Sequence, residues 1–171
     1  SYELYQYLIN TDDEMVIHYL KVFTFLSKEE IEAIEKEQLQ HPESRVAQKA
    51  LACEIITDLH GKEEFKKAEE MSQLLFSGNI QKLSVNDLKI GLKDVPHFEI
   101  TEEMNLVEFL VNHKIASSKR EAREWITAGS ITVNGEKITD LEFVVKKKDA
   151  LEETLTIVRR GKKKYYVGTW Q

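Results

Sequence analysis

The segment 106–135, LVEFLVNHKIASSKREAREWITAGSITVNG, constrains the fold of this chain more than any other. Ser118 is followed three residues later by Glu121, the pairing that opens a helix when hydroxyl and carboxylate each bond the other's backbone N–H. Ala122, Trp125 and Ile126 recur at spacings of three and four and give that helix an apolar face. Lys119, Arg120 and Arg123 fall in its first two turns. Gly129 stops it. Ser-Ile-Thr-Val followed by Asn134-Gly135 then reads as a strand entering a two-residue hairpin, whose turn needs positive φ at both positions. These signals predict a small α+β unit. The helix start, with unpaired N–H groups beside three cations, also suits a phosphate backbone.

The formal net charge of −6 argues against nucleic acid when taken whole, but the charge is segregated. Residues 101–171 carry 13 Lys+Arg against 11 Asp+Glu, whereas residues 1–100 carry 11 against 19. That asymmetry marks one part of the chain for an anionic partner. The most basic run is Arg159-Arg160-Gly161-Lys162-Lys163-Lys164. Alone it fits a solvated turn equally well; beside the cationic helix it favours contact with an anionic partner. Cys53 is the single cysteine, which excludes an intrachain disulfide, and its place among Val46, Ala50 and Leu51 predicts a buried structural thiol. The five histidines show no metal-ligand spacing, so no metal is expected. No apolar run approaches the ~18 residues of a membrane span, and no signal peptide is visible. A cytoplasmic chain without membrane contact is expected.

The first part is helical. Residues 2–10 are rich in aromatics and leucine, and Thr11-Asp12-Asp13 supply cap residues. Met15, Val16, Tyr19, Leu20 and Phe23 form one helix face. Ser27 and Glu30 open a helix to about Leu39, by the same pairing as Ser118 and Glu121. Val46, Ala47, Ala50, Leu51, Ile55 and Leu59 mark a longer helix ended by Gly61. Phe65, Ala68, Ser72, Leu75 and Phe76 mark another, ended by Gly78. Short connections predict an antiparallel helical bundle over 1–95. Residues 96–104, polar and holding one of two prolines, are the expected linker. Residues 105–171 hold two helices, the hairpin, and strands at 154–159 and 165–169 flanking the basic turn. The fold class is therefore mainly α with two domains, a bundle and a small α+β unit.

Ser118-Lys119, Ala122-Arg123, Gly129 and Val133-Asn134-Gly135 stand in the order of the RNA-binding domain named for small-subunit ribosomal protein four, the αL motif, which this segment resembles. A wider resemblance covers nearly the whole chain. Tyr5-Gln6, Asn10-Thr11-Asp12-Asp13, Phe23-Thr24-Phe25-Leu26-Ser27, Gln48-Lys49-Ala50-Leu51-Ala52, His60-Gly61, Leu75-Phe76-Ser77-Gly78 and the run Arg159 to Tyr166 are similar to the C-terminal part of bacterial tyrosyl-tRNA synthetases. The stretch 79–104 is weakest. The ATP signatures of class I synthetases, of the His-Ile-Gly-His and Lys-Met-Ser-Lys-Ser types, do not occur.

The resemblance implies a C-terminal piece comprising a helical anticodon-side domain and an αL-type RNA-binding domain. The intact enzyme would activate tyrosine with ATP and load it onto tRNA(Tyr), whereas this piece alone is expected to be inactive and to need no cofactor. The expected RNA-binding residues are Ser118, Lys119, Arg120, Arg123, Asn134, Gly135, Arg159, Arg160, Lys162, Lys163 and Lys164. Tyr165 or Tyr166 could stack on a base or lie in the core. A monomer is expected, because family dimers are held through the catalytic domain. The competing readings are a stand-alone ribosome-associated protein of the αL class and a protein-interaction module built on the acidic bundle.

Overall fold

The computed structural model describes all 171 residues, Ser1–Gln171. The chain divides into two compact units, Ser1–Gln73 and Leu74–Gln171.

The first unit contains α1 (Tyr2–Ile9), α2 (Asp13–Phe23), α3 (Lys28–Gln40), α4 (Val46–His60) and most of α5 (Lys62–Ser77). Helix α4 is the hub and packs against α1, α2 and α3. Its Ala47, Leu51, Ala52 and Ile56 are fully buried, together with Val16 and Leu20 of α2. The buried stripe of α2 is narrower than the sequence suggests. Residues four apart stack on a helix, so Val16 and Leu20 take the inner row while Met15 and Phe23 share the next and remain largely exposed. Cys53 is half-buried rather than sealed in the core. It lies in an open groove with Phe23, Phe25, Thr57 and Phe65.

A polar knot fastens this bundle. Asp13 Oδ1 accepts from Gln48 Nε2 at 2.6 Å and from Gln38 Nε2 at 2.9 Å, while Gln38 Oε1 accepts from the Ala47 N–H at 3.1 Å. Arg45, in a left-handed conformation at φ 51°, donates Nη2 to the carbonyls of Ile9 at 2.8 Å and Thr11 at 3.0 Å. The turn at residues 10–13 thus ties the end of α1 and the start of α2 to the end of α3 and the start of α4. Pairing of the Gln48 amide N–H groups matters here, because the residue is completely buried and an unmet donor would cost about 1–3 kcal/mol; its Oε1 is left without a partner.

The second unit holds α6 (Val85–Gly91), α7 (Leu106–Asn112) and α8 (Lys119–Thr127) with seven strands: β1 (His97–Ile100), β2 (Met104–Asn105), β3 (Ile131–Val133), β4 (Glu136–Lys137), β5 (Val144–Val145), β6 (Leu155–Arg160) and β7 (Lys164–Trp170). Five strands form a sheet in the order β1-β7-β6-β3-β4; β2 and β5 pair separately. All pairings are antiparallel except β1 with β7. One sheet face, with Ile131, Val133, Val158, Ile100 and Trp170, packs with Leu106, Phe109 and Leu110 of α7 and Ala122 and Ile126 of α8. The other carries Leu155, Ile157, Arg159, Tyr165 and Val167, all buried. There the Tyr165 hydroxyl donates to the Leu75 carbonyl at the end of α5.

The boundary expected at 96–104 is not where the compact units divide. Most of that stretch is folded, with β1 registered along β7 from His97↔Val167 to Ile100↔Trp170. Its polar composition follows from its place at the sheet edge, where Ile100 is the only β1 residue that is fully buried.

Strand β1 also closes an aromatic nest. Phe98 stacks on His113 with centroids 4.1 Å apart, and Phe109 meets His113 edge-on at 4.5 Å. Burial lowers the His113 pKa below its ordinary value, and its Nε2 has no partner. The folded state therefore binds fewer protons at this site than the unfolded state. The stability it contributes is full above the unfolded value of about 6.5 and falls as pH drops below it. Denaturant midpoints measured from pH 7.5 down to about 5.5, above the carboxylate range, should decline in the unaltered chain. The decline should be shallower in His113→Phe; equal slopes would show that this histidine does not titrate against folding.

Candidate nucleic-acid interface

Local structure around α8 follows the sequence signals, with one shift. Ser118 Oγ accepts from the Glu121 N–H at 3.2 Å. The Glu121 carboxylate, however, accepts from the N–H and hydroxyl of Ser117, at 2.7 and 2.6 Å, rather than from Ser118. Those two bonds, the side-chain one foremost, hold its pKa below the usual carboxylate value. The full reciprocal arrangement does form at Ser27 and Glu30. At the other end of α8, Gly129 sits at φ 71°. Its N–H donates to Ile126 and that of Ser130 to Trp125, a Schellman stop.

The hairpin has the expected positive φ values, 50° at Asn134 and 86° at Gly135. Asn134 faces inward in its bonding. Its Oδ1 accepts from the Ile157 N–H at 2.8 Å and its Nδ2 donates to the Asp149 carbonyl at 3.1 Å. A Cβ at Gly135 would come within 3.2 Å of Gln81. These two residues, together with the cap Ser118, shape the surface rather than extend from it.

The cations separate into four kinds. Arg159 is the correction to the expected set. It is 9% exposed, and its guanidinium donates to the carbonyls of Phe76 at 2.7 Å and Lys162 at 2.8 Å while lying 5.5 Å from the Tyr165 ring. Strand alternation puts it on the inner face with Ile157, so it is structural. Lys119 and Arg120 are exposed but paired, with Glu108 at 3.1 Å and Glu124 at 3.1 Å. Arg123, Lys162, Lys163 and Lys164 are exposed and their charged groups carry no carboxylate partner. Arg160 is half-buried, with its guanidinium carbon 3.7 Å from the centre of the Trp125 ring.

Helix geometry divides these groups into two edges. At about 100° per residue, Lys119 and Arg123 project within roughly 40° of each other, while Glu121 and Trp125 project together on the far side of the buried Ala122–Ile126 stripe. The Lys119–Glu108 pair places the first edge beside α7. The Arg160–Trp125 contact places the second beside β6, from which the turn at 161–163, with Gly161 at φ 62°, carries Lys162 and Lys163 and leads into Lys164 at the start of β7. Trp125, expected in the core, is half-buried on this second edge. Nothing local in the sequence pairs it with Arg160, because the contact joins a helix to a strand distant in the chain. Neither tyrosine of β7 is freely exposed: Tyr165 is buried and Tyr166 packs against the core. No group of His, Cys, Asp and Glu side chains could hold a metal ion. No helix is long and apolar enough to cross a membrane.

The helical unit and the α+β unit that follows it each match a family of tRNA ligase sequences. Residues 1–77 match the family model of class I tRNA synthetases (W and Y). Residues 87–167 match that of the tyrosine–tRNA ligase SYY-like C-terminal domain. The chain is 49% identical to tyrosine–tRNA ligase 1 of Bacillus subtilis, over 99% of this chain and 41% of that protein. It is 48% identical to the tyrosine–tRNA ligase of Streptococcus pneumoniae over the same shares. The chain belongs to the tyrosine–tRNA ligase family. It spans about two fifths of the length of these curated relatives, 41%. A solution structure of a tyrosyl-tRNA synthetase C-terminal domain is 43% identical, covering 56% of this chain and 98% of that one, with a TM-score of 0.47.

Proposed function

We propose that this chain is the tRNA(Tyr)-binding portion of a tyrosyl-tRNA synthetase and grips its RNA by backbone and shape. In the whole protein tyrosine and ATP are the substrates and tyrosyl-tRNA(Tyr) the product; the residues of this chain serve the RNA and none is assigned to catalysis. The observation that carries the reading is the two-edged cationic surface of α8, on the unit that matches the SYY-like C-terminal domain model.

The outward face of α8 lies between the Lys119–Arg123 edge and the Arg160–Lys164 edge, so phosphates on either side of the helix meet a cation. A-form RNA presents phosphates and 2′-hydroxyls more readily than base edges. The Lys119–Glu108 and Arg120–Glu124 pairs are solvent-exposed, a class worth about 0–1 kcal/mol, so a phosphate can displace the carboxylates at little cost. Ser118, Asn134 and Gly135 act indirectly by fixing the helix start and hairpin. Alone the chain is a monomer; the whole protein pairs through its catalytic domain.

Binding to tRNA(Tyr), followed by fluorescence anisotropy across a salt series, tests this. Affinity should fall as salt rises, because each neutralised phosphate releases counterions. The Lys119→Ala/Arg123→Ala double variant should bind more weakly, and its log–log salt slope should shrink by roughly 0.7–0.9 per lost contact. Its melting temperature should stay close to that of the unaltered chain, since both side chains are exposed. Unchanged affinity and slope would remove α8 from the RNA interface.

A further inference from the structure

Arg160 differs from every other cation of the interface, and the difference lies in Trp125. The guanidinium carbon is 3.7 Å from the indole centre, at the close end of cation–π contact. The indole is itself fixed: its residue sits in the last turn of α8, its carbonyl takes the Ser130 N–H of the helix stop, and it packs against the core of the second unit. Glu121, one turn earlier on the same side of α8, is the charged neighbour that could compete for Arg160. Its carboxylate is instead bonded to Ser117. The guanidinium therefore lies over the ring and makes no hydrogen bond, while its charge acts on Glu121 without a direct bond between them.

We propose that Trp125 is a positioning residue for RNA binding, holding the Arg160 guanidinium flat so that its forked N–H donors meet a phosphodiester of the RNA already ordered. The inference rests on the tRNA-binding reading above. A planar fork pre-set on an aromatic face loses less freedom on binding than a lysine on a solvated stem. Lys162 and Lys163 in the adjoining turn and Lys164 at the start of β7 supply charge; Arg160 supplies direction. Trp125 need not touch the RNA, because its ring face is covered by Arg160.

A double-mutant cycle with Trp125→Leu and Arg160→Ala, read by tRNA(Tyr) anisotropy, tests this. Trp125→Leu should weaken binding roughly three- to tenfold in the unaltered background. It should have no further effect when Arg160 is already Ala. Trp125→Phe, which keeps an aromatic face, should recover most of the loss, and Arg160→Lys should behave like Arg160→Ala in part. Melting temperature is read in parallel, so that binding is compared only among folded variants. In the free protein, the Arg160 Nε–H resonance should shift by ring current and lose that shift in Trp125→Leu. If Trp125→Leu binds as tightly as the unaltered chain, or weakens binding equally with Arg160 absent, the positioning role is wrong while the RNA reading stands. Failure of the unaltered chain to bind tRNA(Tyr) would remove the RNA reading itself, and this inference with it.

Discussion

Replacing Arg159 with alanine is expected to destabilise the second unit by about 2–4 kcal/mol, as judged by the loss of hydrogen bonds from a charged donor and the cavity left by a buried side chain. The side chain serves the carbonyls of Phe76 and Lys162 from a site only 9% exposed. Its absence removes those hydrogen bonds and the partner of the Tyr165 ring. Gly78 belongs to the same arrangement, since a Cβ there would run into the Arg159 guanidinium. Lysine should rescue little, because one ammonium cannot span two carbonyls as the fork does. Urea unfolding gives the measurement, with Lys163→Ala as an exposed control expected within about 0.5 kcal/mol of the unaltered chain. If Arg159→Ala melts normally and instead loses RNA with a smaller salt slope, the residue faces the RNA and the inward assignment fails.

Arg159 also shows what was legible in the sequence and what was not. The run Arg159 to Lys164 reads as uniform charge, yet strand period alone puts Arg159 with Ile157 and Arg160 with Val158. The signal was present and was masked by composition. The signals of the segment around Ser118 held because they are local: a cap, a glycine stop and an Asn-Gly turn act on neighbouring backbone. The same holds for Ser27, Gly61 and Gly78. Long-range contacts were not legible. The Asp13 knot joins residues 25 and 35 positions apart in sequence. The Arg160–Trp125 stack joins β6 to α8. Strand β1 was hidden for another reason: four residues with one fully buried side chain carry too little pattern to be told from a linker.

That strand is also where the second large effect is expected. Phe98 and Ile100 of β1 flank Gly168 of β7 in the parallel pairing. A Cβ at 168 would lie 2.5 Å from Ile100 Cδ1 and 2.6 Å from Phe98 Cε2, well inside contact distance. Both neighbours are engaged: Ile100 is fully buried, and Phe98 is stacked on His113. Neither can give way without opening the aromatic nest or the core beneath it. Gly168→Val should therefore cost on the order of 3 kcal/mol, at the upper end of overpacking effects, and Gly168→Ala should cost less in the same direction. If relief comes by displacing β1, residues 96–104 should become the first site cut in limited proteolysis of the Val variant, since exposed backbone is nicked before paired strands. In the unaltered chain the same stretch should resist. A Val variant that melts with the unaltered chain and is no more sensitive at 96–104 would mean that β1 does not pack across Gly168, and the parallel edge of the sheet would have to be redrawn.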